Sequence, residues 1–185
     1  MKLKSFKINK KFTWFVFFLI MEFACTTVPL KESIKYENIE IIGDKNFILQ
    51  TQRALALLKD KHYKAFYMCQ QYLGRIVLSS SSGVKPWEKT PTYEVGKLTA
   101  YYGLKWYAGT IAHDAFHSQL YQEYLMKNPQ TKRVPDSIWL GKEAEEKCLT
   151  YQHQVLKKLG ATLSMLRYLR SLPATEYWNQ QNVYW

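Results

Sequence analysis

Two histidines, His113 and His117, stand four residues apart in the segment Ala112-His113-Asp114-Ala115-Phe116-His117-Ser118. In an α-helix, residues i and i+4 lie one above the other on the same face, so the two imidazoles can converge on one point, the arrangement that suits a single metal ion. Zinc in proteins is usually four-coordinate, and a catalytic site supplies three protein ligands and leaves one position open. A third ligand must therefore come from another element, and the segment 143–159 carries the acids to consider: Glu143, Glu145 and Glu146. Helical register separates them. Ala144, Cys148, Tyr151, Gln152, Val155 and Leu159 form an inward stripe, and Glu145 sits beside it in line with Leu149, Gln152 and Leu156. Glu143 and Glu146 line up with Lys147, Thr150, Gln154 and Lys157, which is the wet side. Glu145 is the expected third ligand, and the small Cys148 one turn later would let the two helices approach closely.

The elements that must position these residues can be read from periodicity. From Lys105 to Met126 the spacing of Ala108, Ile111, Ala112, Ala115, Phe116 and Leu120 predicts a helix with the histidines at the edge of its apolar stripe, ended by Asn128-Pro129. Pro135-Asp136-Ser137 is a start signal for a second helix running to Leu159, with Lys157-Lys158 in its last turn and Gly160 as its C-cap. A last helix, 161–172, stops at Pro173. Upstream, Ile39 to Ile42 predicts a first strand, and helices follow from Asn46 and over 63–73. Arg75 to Ser79 is β-rich, and the serine run ahead of Gly83 and Pro86 reads as a loop with no core potential. Pro91 to Thr99 alternates as a strand with one wet face would, directly before the histidine helix. The fold class expected is α+β, mostly helical with a small sheet, in one domain over residues 39–185.

The N-terminus has a different character. Residues 1–24 have the layout of a secretory signal peptide: lysines at 2, 4, 7, 10 and 11, then a nearly unbroken apolar run from Phe12 to Met21, then small residues at Ala24-Cys25. That run is short for a bilayer span. Phe23-Ala24-Cys25 resembles the end of a bacterial lipobox, in which the cysteine becomes the lipidated first residue, although Glu22 stands where an aliphatic residue is usual. Export with a membrane anchor through lipidated Cys25 is the expectation, and cleavage without lipidation or retention as an uncleaved anchor both remain open. Residues 25–38, which are polar, are expected to be a tether.

The formal net charge of +11 invites a nucleic-acid reading. Five of the lysines and one glutamate precede Cys25, however, so the remainder carries +7, and no basic run is long or interleaved enough to resemble a nucleic-acid module. Attraction to an anionic membrane surface is the simpler use of that charge, and no nucleic-acid partner is expected. Aromatics at 16% predict a core and a surface cleft built from large rings. Besides Cys25 there are only Cys69 and Cys148, both inside apolar helical patterns, where buried free thiols are at least as expected as a disulfide. A monomer is expected.

His113-Asp114-Ala115-Phe116-His117 resembles the HExxH helix of the zincin metallopeptidases, and Glu145-Glu146-Lys147-Cys148 resembles the Glu-x-x-Ala element of their gluzincin branch. The likeness covers roughly residues 91–160. It implies a Zn2+ ion held by His113, His117 and Glu145, a peptide or protein substrate, and an edge strand just before the histidine helix that holds an extended peptide by backbone hydrogen bonds. It also implies a general base at Asp114, where the family has Glu. The carboxylate arm of Asp is shorter by on the order of 1.5 Å, and a displacement of about 1 Å at a catalytic group can cost roughly a hundredfold in rate.

Overall fold

The computed structural model of this 185-residue chain describes residues 31–174. The signal-like segment, Cys25 and the aromatic tail after Ala174 lie outside the described residues. The chain opens with a hairpin of β1 (Glu32–Tyr36) and β2 (Ile39–Gly43), whose tip Glu37 takes φ +55. β1 corrects the reading of 25–38 as wholly tether. Its Ile34 and Tyr36 alternate with Ser33 and Lys35 and pack against the core, Tyr36 meeting Phe66 edge to face at 6.2 Å. Only two large apolar residues are needed for a strand that lies at the margin of a sheet and buries one face.

Asp44 then caps α1 (Lys45–Lys61) by accepting a hydrogen bond from the Phe47 N–H at 2.9 Å. After α2 (Tyr63–Tyr72) come β3 (Arg75–Ser79), β4 (Gly83–Lys85), β5 (Thr92–Gly96) and the short α3 (Lys97–Tyr101). The five strands form one mixed sheet in the order β1-β2-β3-β5-β4, with β2, β3 and β5 parallel and β4 antiparallel to β5. The edge therefore belongs to β4, not to the strand that leads to the histidine helix. β5 lies between β3 and β4, which buries Thr92, Tyr93, Val95 and Gly96, and its expected wet face shrinks to Glu94, paired with Lys85 at 2.6 Å. The expected strand also ends early, because residues 97–101 are helical.

The serine loop has more structure than its composition suggested. Ser82 Oγ accepts the Gly96 N–H at 3.0 Å and bonds Thr99 Oγ1 at 2.8 Å, tying the loop to the end of β5, and Val84 on β4 is buried. The central helix is α4 (Leu104–Lys127). It packs against α1 and α2 and against the following α6 (Lys142–Lys158), with α7 (Leu163–Ser171) added through a small cluster of Trp106, Leu156 and Leu169. Gly160 ends α6 at φ +67, as its C-cap position requires, with the Ala161 N–H bonded to the Leu156 carbonyl at 2.9 Å.

The single helix expected over 135–159 is broken into α5 (Asp136–Trp139) and α6. The break falls at Leu140-Gly141, whose N–H groups both turn back to the Asp136 carbonyl at 2.7 and 3.1 Å. A Cβ on Gly141 would stand 2.9 Å from backbone atoms of Ser137, so only glycine fits this close return. Cys69 and Cys148 are free and buried. Among the described residues no helix is long and apolar enough to cross a membrane.

Candidate metal centre

Gly109, His113 and His117 lie one turn apart on the face of α4 that meets α6. A Cβ on Gly109 would lie 2.9 Å from Leu156 Cδ2 and 3.4 Å from Gln152 Cγ, so the missing side chain is what lets α6 close on α4 at this level. On α4, Gly109 is the small residue that permits this approach, opposite Leu156 and Gln152. The approach brings the start of α6 over the histidines. Glu145 Oε2 lies 3.1 Å from His117 Nε2, Glu145 Oε1 lies 3.5 Å from His113 Nε2, and the two Nε2 atoms are 3.0 Å apart.

All three side chains are buried, Glu145 to 1% exposure and each histidine to 4%. His113, His117 and Glu145 are thus a buried cluster that could hold a metal ion, and the acid it includes is the one that helical register singled out. Glu143 and Glu146 are exposed, and Glu146 faces Lys142 at 3.9 Å. Two imidazole nitrogens and a carboxylate oxygen are a borderline donor set that zinc favours, and with metal–ligand bonds of ~2.0–2.2 Å its ligand atoms stand about 3.3 Å apart in a tetrahedron. The separations of 3.0–3.5 Å match that span.

The break between α5 and α6 has a chemical consequence for the cluster. In a continuous helix the Trp139 carbonyl would accept from the fourth residue on; here it accepts the His117 Nδ1–H at 2.5 Å. A histidine whose Nδ1–H is engaged by a carbonyl presents the Nε2 lone pair, which is how metal-ligating imidazoles are oriented. Gln152, fully buried on α6, lies beside His113.

Without a metal, two facing nitrogen lone pairs at 3.0 Å would repel, so a proton must sit between them. The surroundings assign it to His117. Burial opposes a charge there, but Cys148 and Glu145 outweigh burial and hold the His117 pKa well above its ordinary value. Burial keeps the Cys148 thiol protonated, so the formal charge that favours the imidazolium is that of Glu145. His113 goes the other way: burial, against the pull of Glu145, lowers it to about 4. The metal-free cluster is an imidazolium–carboxylate pair beside a neutral imidazole.

The cluster forms one wall of a pocket of about 360 Å3 whose other walls include Val84 of the edge strand, Trp87, Trp139 and Leu140. Asp114, half-buried, lines the same pocket. Burial pushes its carboxyl up to about 7; His117 opposes the rise, Glu145 adds to it, and the neighbouring Tyr93 hydroxyl opposes it. Tyr93, the Trp139 carbonyl, Gly109 and Gln152 all went unremarked as site residues in the sequence. The sequence held two signals: Gly109 is one helical turn before His113, and Gly141, next to the turn that frees the Trp139 carbonyl, interrupts a segment otherwise patterned as one helix. Comparison with protein-family models, with curated proteins and with solved structures finds no match to this chain.

Proposed function

We propose that the chain is a zinc-dependent peptidase of zincin type, exported and tethered to a membrane, with His113, His117 and Glu145 as ligands and Asp114 as general base. The observation that carries the reading is the convergence of three ligand atoms at the wall of a pocket that Asp114 also lines. The α+β architecture and the position of β4 are in keeping with it, since the free edge of β4 borders that pocket and an extended peptide can add to such an edge by backbone hydrogen bonds. Zinc held by the cluster would supply a Lewis acid that polarises a peptide carbonyl and acidifies a water molecule. The protein's own part is proton handling. Asp114, with a carboxyl poised near 7 and the Tyr93 hydroxyl as a neighbour, accepts the proton of the attacking water and returns it to the departing amine. The Trp139 carbonyl holds the His117 imidazole in register.

The test is metal content followed by hydrolysis of an unstructured protein. One zinc per chain, absent from His113→Ala, and cleavage lost in Asp114→Asn are the expected results. No metal in either protein overturns the centre. Zinc with cleavage only in Asp114→Glu makes the chain a metal-binding scaffold whose base is out of reach, a non-catalytic envelope protein. The tether is read from the lysine-rich start, the apolar run and Cys25, and incorporation of a radiolabelled fatty acid that disappears in Cys25→Ser checks it.

A further inference from the structure

The part of the pocket away from the ligands is apolar and aromatic. Trp87 stands at the third position of the turn Lys85-Pro86-Trp87-Glu88, closed by the Glu88 N–H on the Lys85 carbonyl at 3.4 Å. Proline at the second position presets such a turn, so Trp87 is displayed from a stiff support and not from a loose loop. It remains 56% exposed while meeting Trp139 edge to face at 5.5 Å. Trp139 is itself buried and braced on its other side by Tyr121 at 5.6 Å. Leu140, also partly exposed, and Val84 complete the wall. The Trp139 indole N–H, buried here, has no hydrogen-bond partner among the described residues.

These features are not what stability alone would select. A tryptophan more than half exposed over a pocket, beside a buried donor without an acceptor, is an arrangement completed by a ligand that brings a ring and a polar atom. The position fixes the ligand's geometry. The turn bearing Trp87 directly continues the edge strand β4, and both line the pocket, so a chain added to that edge would pass the pocket and would present a side chain to Trp87 and Leu140.

We infer that Trp87, Trp139, Leu140 and Val84 form a side-chain subsite that selects a bulky aromatic residue of a bound extended peptide, next to the position where the chain would be cut. The inference rests on the peptidase reading for the identity of the ligand. Its physical content, an aromatic-selective pocket, is independent of the metal.

The test uses the full chain, labelled with 15N, and follows the indole N–H signals of Trp87 and Trp139 during titration with N-acetyl-phenylalanine methylamide and with N-acetyl-glycine methylamide. Zinc content is measured on the same sample. The expected result is saturable movement of both indole signals by the phenylalanine compound, at least about tenfold tighter than the glycine compound, in line with the discrimination an apolar pocket gives a large side chain. Trp87→Ala, a change at an exposed position that leaves the fold intact, brings the two compounds within about twofold of one another. Equal affinities in the native chain, or movement confined to other tryptophans, overturn the subsite. Zinc without aromatic preference removes the subsite and leaves the centre standing. Aromatic preference without zinc does the reverse.

Discussion

Helix α4 presents two buried faces of opposite character. On one, Ala108, Ile111, Ala112 and Ala115 are fully buried within the main apolar core. On the other, Gly109, His113 and His117 meet Glu145 and Gln152 of α6 in a seam that is just as dry. Burying an apolar side chain stabilises a fold by about 1.5–3 kcal/mol, whereas each ion taken out of water costs several kcal/mol even after relaxation. The first face therefore makes the fold, and the second is carried by it. A seam that opposes the stability of the metal-free chain is in keeping with the proposed metal site.

Swapping the consequences of the two faces is the sharpest way to break this contrast. Structural zinc sites contribute ~10–16 kcal/mol across three or four ligands, so Glu145→Ala is expected to weaken zinc binding by at least about a hundredfold. Ile111→Ala, on the apolar face, is expected to cost about 2–5 kcal/mol of stability and to leave the zinc affinity of the folded protein unchanged. Competition with a chromophoric chelator and denaturant unfolding read the two quantities separately. Should Ile111→Ala lower zinc affinity as far as Glu145→Ala does, the faces are not independent.

The converse substitution tests the claim that the seam is a burden. Replacing His113, His117 and Glu145 together by leucine removes the buried charge and leaves no unpaired partner behind, and such replacements of ionic clusters stabilise by about 1–4 kcal/mol. The metal-free triple variant is expected to unfold at higher denaturant concentration than the metal-free native chain. A lower midpoint would show that the cluster contributes to the fold.

The two faces were also unequally legible in the sequence. Apolar spacing announced the helices, and because the three candidate side chains sit on helices, register alone brought His113, His117 and Glu145 together and left Glu143 and Glu146 in water. What supports them depends on distant pairing. No local pattern tells that a three-residue strand beside a serine run, Gly83–Lys85, covers β5 and takes the edge from it, and the hairpin strand β1 shows only two inward residues. A single glycine inside a helical pattern is usually tolerated, so the break at Gly141, and with it the carbonyl that orients His117, becomes visible only when Ser137 is seen pressed against it. The fit of the donor set was readable; its hydrogen-bonded support was not.

Gly109 couples the two faces, and its enlargement gives a smaller, mixed effect. In Gly109→Val the new side chain must displace Leu156 and Gln152, an overpacking expected to cost about 1–3 kcal/mol. Because Gln152 lies beside His113, its displacement should weaken zinc binding as well, by roughly 10–100-fold, as other changes around a metal ligand do. Strong destabilisation with unaltered zinc affinity would mean that α6 returns to its place without the close contact.

The mildest probe is pH, applied to the metal-free chain. Asp114, raised by burial to about 7, holds a proton in the folded state between roughly pH 4 and 7 that the unfolded chain releases, so it makes stability fall as pH rises through that window. His113, lowered by burial to about 4, does the opposite, because there the unfolded chain holds the extra proton up to about pH 6.5. The two largely offset one another. His117 then decides the outcome: its raised pKa contributes stability that is complete below about pH 6.5 and is lost as pH rises through the elevated value. The melting temperature without metal is expected to vary little from pH 4.5 to 6.5 and to decline above that. Zinc bound at the proposed site would displace the His117 proton, so the stabilisation it adds should grow over the same alkaline range where the metal-free chain weakens. A metal-free melting temperature that climbs steadily from pH 6.5 to 9 would place the proton elsewhere than on the His117–Glu145 pair.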